Sequence, residues 1–429
     1  MLKLHPGKIS AFIHVVGLGF RFLFLSTLMR ISTPQLIGLY SVAASIEAIS
    51  VYLVGFEFHT FTSRRYAKSP SYYKLRLIAN CHARLFFLTI PLSSVTTCVF
   101  MLTLNMTTDI WIALCTVLIV ICAVVSQETV RLLILTRQPI HSVCLAFIRT
   151  AVWQPFAVFI LGSEQFLGVK HFFWIEHLLG TETLGSRAIF TLWSAFSFIA
   201  MLWSIWLLRG LWSYRIRIRI RYLTNGIARA KYYYVGAVAN VLLSSVERLV
   251  LQTLLGPEAV GIYSFFQTLA NTSSTLIQTA VLNIALPNLL EKFSRKAKSR
   301  FEYLYSQLHH TARIAVGVGI LIVLVAFPIV WIIDRSAYIE QLWILPLLLF
   351  GQGLISWTQP IHLALYAAHH DRLLITLMVS ALLLALCLNY LSISKFGLPG
   401  AVIAPLATAL ALTNFRWLFF KRLTKQGAI

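Results

Sequence analysis

The residues of this sequence that could do chemistry are charged side chains inside long apolar stretches. The ones expected to lie deepest are Arg21, Arg84, Arg149, Arg248, Glu47, Glu57, Glu128 and Glu247. A charge in hydrocarbon is costly unless it is paired or hydrated, so such residues mark binding sites or hold helices together. Arginine can bind phosphate or carboxylate through two parallel hydrogen bonds, and a buried carboxylate can carry a proton or cation.

The positions of Arg21 and Glu47 predict that they can pair. Arg21 lies roughly 12 Å, and Glu47 roughly 16 Å, from the same end of two consecutive antiparallel helices. His14, two helical turns before Arg21, falls on the same face. Two interpretations remain open. Arg21 binds an anionic group with Glu47 as its gate or proton site, or the two residues form a structural ion pair.

Glu247 and Arg248 are neighbours in the sequence, so on a helix their side chains point about 100° apart and face different surroundings. The predicted substrate-binding candidates are Arg21, Glu47, Glu247, Arg248, Arg149 and Arg84, and the predicted coupling candidates are Glu47, Glu247 and Glu128.

The remaining intramembrane charges have helix-packing explanations as well. Glu128 can pair with Arg131, three residues along its helix, or with Arg149 across the next hairpin. Glu57 can meet Arg84 in the same way.

Two further cations, Arg313 and Arg416, lie close to the ends of their apolar stretches. We expect their long side chains to reach the membrane surface.

The composition defines the elements that must hold these residues. The chain has 429 residues, 58% hydrophobic and 12% charged, with a mean hydropathy of +0.79. Apolar runs of about 20 residues match the thickness of a bilayer core. The sequence therefore predicts an all-α integral membrane protein with about twelve transmembrane helices. The expected spans are 9–29, 36–61, 77–102, 110–135, 141–162, 188–208, 232–254, 260–286, 312–333, 341–367, 373–393 and 398–420.

The distribution of Lys and Arg predicts the orientation. If both termini are cytoplasmic, the inner loops hold roughly five times as many basic residues as the outer loops, a strong positive-inside bias. The net charge of +22 is explained by this bias, and no nucleic-acid partner is expected. The most basic segment, 211–231, separates a bundle at 1–210 from a bundle at 232–429. Its RIRIRIR core is either a topology-fixing linker or a contact with anionic membrane lipids.

One short phrase occurs twice, as TPQLIGLYS at Thr33–Ser41 and as GPEAVGIYS at Gly256–Ser264. Both copies fall on the turn between the first and second spans of a six-span set, where Pro suits a first helical turn. Each set crosses the membrane an even number of times, so the two bundles are predicted to be parallel repeats.

Three segments resemble a known family. They are SSVERLVLQTLLGPEAVGIYSFFQTLANTSSTLIQTAVLNIALPNL (Ser244–Leu289), STLMRISTPQLIGLYS (Ser26–Ser41) and LCLNYLSISKFGLPGAVIA (Leu386–Ala404). They look like parts of the polysaccharide transporters, the Wzx-type oligosaccharide-lipid flippases of the multidrug/oligosaccharidyl-lipid/polysaccharide (MOP) exporter superfamily, which is MATE-like in fold.

The resemblance implies a V-shaped pair of six-helix bundles around a central cavity, in the bacterial cytoplasmic (inner) membrane. It implies a cargo of undecaprenyl-pyrophosphate-linked oligosaccharide, such as an O-antigen, capsule or exopolysaccharide unit, moved from the inner to the outer leaflet. Expected partners are this lipid-linked oligosaccharide, membrane lipids, a glycan polymerase and a chain-length regulator. No cofactor and no enzymatic activity are expected.

Two other function classes remain as alternatives. One is a MATE-like antiporter of small molecules, for which a cation cargo would favour acidic residues in the spans. The other is a polytopic glycan polymerase or ligase, which needs a catalytic outer loop. The longest outer loop, 163–186, offers Glu176 and Glu182 but no closely paired carboxylates.

Several other residues have simple explanations. The six Cys show no metal-binding or CxxC spacing, and His369, His370 and Asp371 fit a solvated turn, so no metal is expected. Four tryptophans could stack on sugar rings or belong to the interfacial aromatic belt. They are Trp153, Trp203, Trp206 and Trp357.

Overall fold

A computed structural model describes residues 6–68, 71–106, 109–136, 138–166, 184–211, 220–294 and 299–425. Within these ranges the chain is helical, with short turns, two π-helical segments and no strand. Most of the predicted outer loop and the RIRIRIR core lie outside the described residues.

The chain forms two compact units. The first comprises Met1–Leu36 and Val42–Val238, and the second comprises Ile37–Ser41 and Ala239–Ile429. The domain boundaries proposed from the sequence, 210/211 and 231/232, stay a prediction. Residues 220–231 of the predicted linker are helical.

Among the described residues, nine helices begin in the first unit. They are α1 Pro6–Ile31, α2 Pro34–Gly55, α3 Phe58–Lys68, α4 Tyr72–Thr103, α5 Ile110–Leu135, α6 Pro139–Phe147, α7 Trp153–Phe166, α8 Leu184–Leu208 and α9 Ile220–Leu243. A π-helical segment, Ile148–Val152, joins α6 to α7. Helix α5 is central to this unit, because it packs against α4, α6 and α8.

The described part of the second unit contains nine further helices. They are α10 Val246–Leu255, α11 Pro257–Ile277, α12 Asn283–Ser294, α13 Arg300–Ile333, α14 Ser336–Ile339, α15 Ile344–Trp357, α16 Gln359–Ala367, α17 Asp371–Phe396 and α18 Gly400–Lys425. A π-helical segment, Gln278–Leu282, lies between α11 and α12. Helix α15 is central here and packs against α11, α13 and α18.

Ten described helical segments are long and apolar enough to cross a membrane, and a bent pair makes up to eleven. The bent pair, Arg221–Leu243 and Val246–Leu255, meets at 48° and covers the predicted seventh span. The predicted eighth span, 260–286, runs through α11, the π segment and the start of α12. The polar run from Asn271 to Thr275 makes this span less apolar than the other spans.

The predicted second span, 36–61, is broken before its end. Helix α2 ends at Gly55, and Phe56 and Glu57 both adopt a left-handed backbone with φ 49°. Two such residues in succession are uncommon for non-glycine side chains and persist only where the surroundings fix them. The Phe56 ring lies 5.7 Å from that of Tyr234. The carboxylate of Glu57 is held by polar partners described below.

The first copy of the repeated phrase has a structural role in the second unit. Gly38 lies so close to Pro257 that a Cβ at Gly38 would come within 1.9 Å of the Pro257 carbonyl oxygen. The two copies therefore contact each other, and glycine permits a close helix approach at this point.

Candidate functional site

The first polar cluster of the first unit, here called the central cluster, consists of Arg149, its partners Glu47 and Gln127, and the nearby Arg21. Arg149 lies in the π-helical segment Ile148–Val152. Its Nη1 is 3.4 Å from Oε1 of Glu47 and donates to the Ala123 carbonyl at 3.1 Å. Its Nη2 donates to Oε1 of Gln127 at 3.2 Å. The π segment aims the side chain at α2 and α5, and such segments often occur at functional sites.

The structure therefore gives Glu47 a different nearest cation from the one suggested by the sequence. Arg149 contacts it, whereas Arg21 is exposed on α1 and lies within electrostatic range of Glu47. His14 is also exposed. Two arginines thus surround one carboxylate, and the central cluster carries a surplus positive charge.

The second cluster, here called the paired-glutamate cluster, contains Glu57, His82, Glu128 and Arg131. Arg131 contacts both carboxylates: its Nη1 bonds Oε1 of Glu128, and its Nη2 lies 3.6 Å from Oε1 of Glu57. His82 Nδ1 lies 2.9 Å from Oε2 of Glu128. Glu128 therefore takes the partner three residues along its helix, one of the two expected from the sequence. Glu57 contacts Arg131, where the sequence suggested Arg84, which is exposed.

His59 and Thr60, both in α3, complete this cluster through contacts with Glu57. Thr60 donates to Oε2 of Glu57 at 2.8 Å, and His59 Nε2 lies 3.5 Å from the same oxygen. Burial raises the pKa of the Glu57 carboxyl, opposed by the Thr60 hydrogen bond and Arg131. Burial and the nearby Arg131 lower the pKa of His59 to about 4. His59 is therefore neutral at physiological pH.

The second unit places Glu247 and Arg248 in separate surroundings, as their adjacency predicts. Glu247 is 6% exposed and lies within hydrogen-bonding reach of Gln267 on α11. Arg248 donates to the Ser244 carbonyl at 2.9 Å. Tyr263, which belongs to the second copy of the repeated phrase, is buried. Its hydroxyl interacts electrostatically with both Glu247 and Arg248.

Arg416 differs from the sequence-based expectation. It is only 2% exposed, and its Nη1 donates to the Ile355 carbonyl at 3.4 Å and to the Thr358 hydroxyl at 3.2 Å. It lies at the break between α15 and α16, so the prediction that it reaches the membrane surface is wrong. The break exposes carbonyl groups that this guanidinium can satisfy. Arg313 is exposed.

The tryptophans divide into packed and accessible residues. Trp153 is fully buried, where it stacks on Trp193 with ring centroids 5.7 Å apart. It is therefore a packing residue in this structure. Trp203 and Trp357 are half-buried and Trp206 is exposed.

Sequence reasoning did not single out His82. A histidine inside a predicted span is an available signal, but its relation to Glu128 depends on the packing of α4 against α5. Among the described residues, no group of three His, Cys, Asp or Glu side chains could hold a metal ion.

No family model and no curated protein matches the sequence. Solved structures do match. The lipid II flippase MurJ, in an inward closed conformation, superposes with a TM-score of 0.71 and 11% identity over 96% of this chain and 87% of that chain. An outward-facing multidrug resistance MATE family transporter of the MOP superfamily gives 0.57 and 14%, over 100% and 97% of the two chains. A mutant of the Vibrio cholerae MATE transporter VcmN gives 0.52 and 12%, over 98% and 95%.

These identities show the fold alone. The chain is a multi-pass membrane protein with the all-helical fold shared by MurJ and the MATE transporters, which confirms the predicted MATE-like fold class. These solved structures are those of transporters and a flippase. The orientation of the termini stays a prediction.

Proposed function

We propose that this protein is a flippase for an undecaprenyl-pyrophosphate-linked oligosaccharide, such as a repeat unit of O-antigen, capsule or exopolysaccharide. It moves this lipid from the inner to the outer leaflet of the bacterial cytoplasmic membrane by alternating access. The observation that carries the proposal is the fold comparison. The TM-score is 0.71 with a lipid II flippase and 0.57 with the MATE transporter.

The charges of the central cluster support an anionic headgroup. Arg149 is held by Glu47, Gln127 and a backbone carbonyl, while Arg21 is exposed nearby. Arginine binds phosphate through a planar set of donors that stays charged at any physiological pH. A pyrophosphate is therefore a better fit to this surplus of cations than a small organic cation. No covalent chemistry is needed.

A deletion strain tests the proposed cargo. We expect lipid-linked repeat units to accumulate on the inner leaflet, and surface glycan to disappear, until the wild-type gene is restored. Normal surface glycan in the deletion strain would rule the proposal out. Accumulation of cationic drugs in the cytoplasm, with normal glycan, would instead support a small-molecule antiporter.

The proposed partners follow from the cargo. Repeat units that reach the outer leaflet must be joined by a glycan polymerase, whose product length a chain-length regulator sets. Crosslinking in intact membranes tests this. We expect the flippase to crosslink to the polymerase or the regulator, and not to an unrelated inner-membrane protein of similar abundance.

A further inference from the structure

One face of helix α11 is polar at a depth where a membrane span is normally apolar. From Thr268 to Gln278, every side chain that is not buried carries a hydroxyl or an amide, except that of Leu276. These residues, here called the polar face of α11, are Thr268, Asn271, Thr272, Ser274, Thr275 and Gln278, the last of which begins the π-helical segment. The buried residues of the same stretch are mostly apolar. The polar face surrounds the midpoint of the predicted eighth span, 260–286.

A helix that faces lipid shows the opposite pattern. The exposed side chains in the middle of α13 include Val316, Ile320 and Leu324. A threonine can lie in hydrocarbon, because its hydroxyl can bond the backbone of its own helix, but an amide pays a large desolvation cost there. Polar side chains within spans therefore face the protein interior or water. Asn271 is only half-buried and Gln278 is exposed, so the polar face of α11 lines water.

The hydrogen bonds of this face leave donors and acceptors for a ligand. The Thr272 and Thr275 hydroxyls donate to backbone carbonyls of their own helix, at 2.9 and 3.0 Å, and each hydroxyl oxygen keeps capacity to accept. Between α11 and α15, Nε2 of Gln352 donates to Oδ1 of Asn271 at 3.0 Å. This bond orients the Asn271 side chain and leaves its amide nitrogen, which carries two hydrogens, as a donor.

The polar face carries no charge. Residues 259–290 contain no Asp, Glu, Lys or Arg. The surface therefore offers no counter-charge to a pyrophosphate and no carboxylate to an organic cation. Its closely spaced hydroxyls and amides match the hydroxyl groups of a neutral sugar, each of which is both a donor and an acceptor.

We propose that the polar face of α11 binds the sugar part of the transported lipid, with Asn271 as a donor and with Thr272 and Thr275 as acceptors. The proposal rests on the flippase activity proposed above. The charged pyrophosphate and the neutral glycan are then recognised by different chemistry, arginine for the first and hydroxyls and amides for the second. A π-helical segment, Gln278–Leu282, follows the face directly, and such segments often occur at functional sites.

Thiol labelling tests whether the polar face lines water. Thr272→Cys and Thr275→Cys are treated in lipid nanodiscs with a charged methanethiosulfonate, which stays in water, and labelled peptides are quantified by mass spectrometry. The control is Leu321→Cys, at an exposed position in the middle of α13. We expect the two face positions to react at least tenfold faster than the control, because a hydrated thiol forms the reactive thiolate more readily. Equal rates would overturn the proposal.

Competition between two lipids tests the sugar contact. Both carry undecaprenyl pyrophosphate, but one bears the full oligosaccharide and the other only its first sugar. In wild-type proteoliposomes we expect the oligosaccharide lipid to compete for flipping about tenfold better, equivalent to about 1.4 kcal/mol and to one to three neutral hydrogen bonds. Asn271→Leu and Thr275→Val should each reduce this ratio to below about threefold. Thr376→Val is the matched control and should keep the ratio, because Thr376 is likewise exposed and bonds its own helix, α17.

The outcomes separate the sugar contact from the flippase activity. If the wild type flips neither lipid, the flippase activity is refuted and the sugar contact with it. If the two lipids compete equally in the wild type, or if the ratio stays near tenfold in both face variants, flipping stands and the sugar contact is refuted. Thr275→Val nearly preserves the shape of the side chain, so it keeps the test if Asn271→Leu does not fold.

Discussion

At the scale of residues, the open question is whether the Arg149–Glu47 pair has a structural role or a binding role. Their side chains are 11% and 13% exposed, and the ion-pair distance is 3.4 Å. The sequence indicated that both residues were buried charges, but it suggested Arg21 as the partner of Glu47. The π-helical segment that aims Arg149 at α2 has no sequence signal comparable to hydropathy. This partner could therefore be found only in the structure.

A double-mutant cycle separates the two roles. Arg149→Met and Glu47→Gln should each destabilise the protein by about 3–5 kcal/mol, because each leaves a largely buried charge without its partner. The double variant should recover most of the stability, since both charges are gone. If Arg149 binds the headgroup, glycan export stays below a tenth of wild type in the double variant. Thermal unfolding and surface glycan are the two measurements, and restored export would assign the pair a purely structural role.

A second residue-scale prediction concerns Asp109, which precedes α5. Its Oδ2 accepts from Nε of Arg187 at 2.8 Å, and its Oδ1 caps the Trp111 amide at 2.9 Å. The hydrogen bond from Arg187 lowers the pKa of this carboxyl, and the capping bond adds to the effect. Because the folded-state pKa is depressed, the stabilisation is present above the unfolded value of about 3.9 and is lost as pH falls through the lower folded value.

The matched variants are Asp109→Ala and Asp109→Ser. Alanine removes the cap and the ion pair and should cost about 1–2 kcal/mol at pH 7, whereas serine keeps a cap and should cost under about 1 kcal/mol. Unfolding midpoints at several pH values measure this. The difference between wild type and Asp109→Ser should shrink progressively as pH falls below about 3.9; a constant difference would show that the ion pair does not contribute.

At the scale of elements, hydropathy located the spans but not their breaks. The span Ile344–Ala367 consists of two helices, α15 and α16, with Pro360 in the first turn of the second. A proline removes a backbone donor and requires other groups to satisfy the freed carbonyls. Arg416 of α18, about 60 residues further along the chain, donates to the Ile355 carbonyl beside this break. The sequence contains the proline but not the identity of this distant donor.

The Arg416→Met variant tests that role. It removes the donor to the Ile355 carbonyl with little change in volume, so we expect a loss of about 1–3 kcal/mol in unfolding free energy. Arg313→Met is the control, because Arg313 is exposed, and it should change stability by under about 0.5 kcal/mol. Equal effects of the two variants in thermal unfolding would show that Arg416 does not stabilise the break.

Gly38 gives a second element-scale prediction. A Cβ there would lie 1.9 Å from the Pro257 carbonyl oxygen, whereas one at Gly319 would meet nothing within 4 Å. Gly38→Ala must therefore displace backbone and should destabilise the protein by more than about 2 kcal/mol. Gly319→Ala, in α13, should be neutral or stabilising by up to about 1 kcal/mol. The thermal midpoints of the purified variants compare them directly, and a neutral Gly38→Ala would refute the close approach.

At the scale of the whole molecule, the fold class was predictable because the pattern of apolar runs reflects the bilayer, a constraint that acts on every span alike. The central cluster was predictable only as a set of buried charges, and His82 was missed, because its role depends on tertiary pairing. The cargo depends on still finer features, namely the geometry and charge of the headgroup site. A quantitative comparison of lipid headgroups is therefore the most informative test of the proposed cargo.

Reconstituted proteoliposomes allow that comparison. If Arg149 and Arg21 recognise a pyrophosphate, a lipid-linked sugar with pyrophosphate should compete for flipping about tenfold better than its monophosphate analogue, since one lost charge-assisted contact is worth about 1.4 kcal/mol. In Arg21→Ala the two headgroups should become nearly equivalent, because the removed cation faced the additional phosphate. Glu302→Gln, on the first turn of α13, is the control and should keep the tenfold preference. Equal competition by both lipids in the wild type would exclude headgroup charge as the recognised feature.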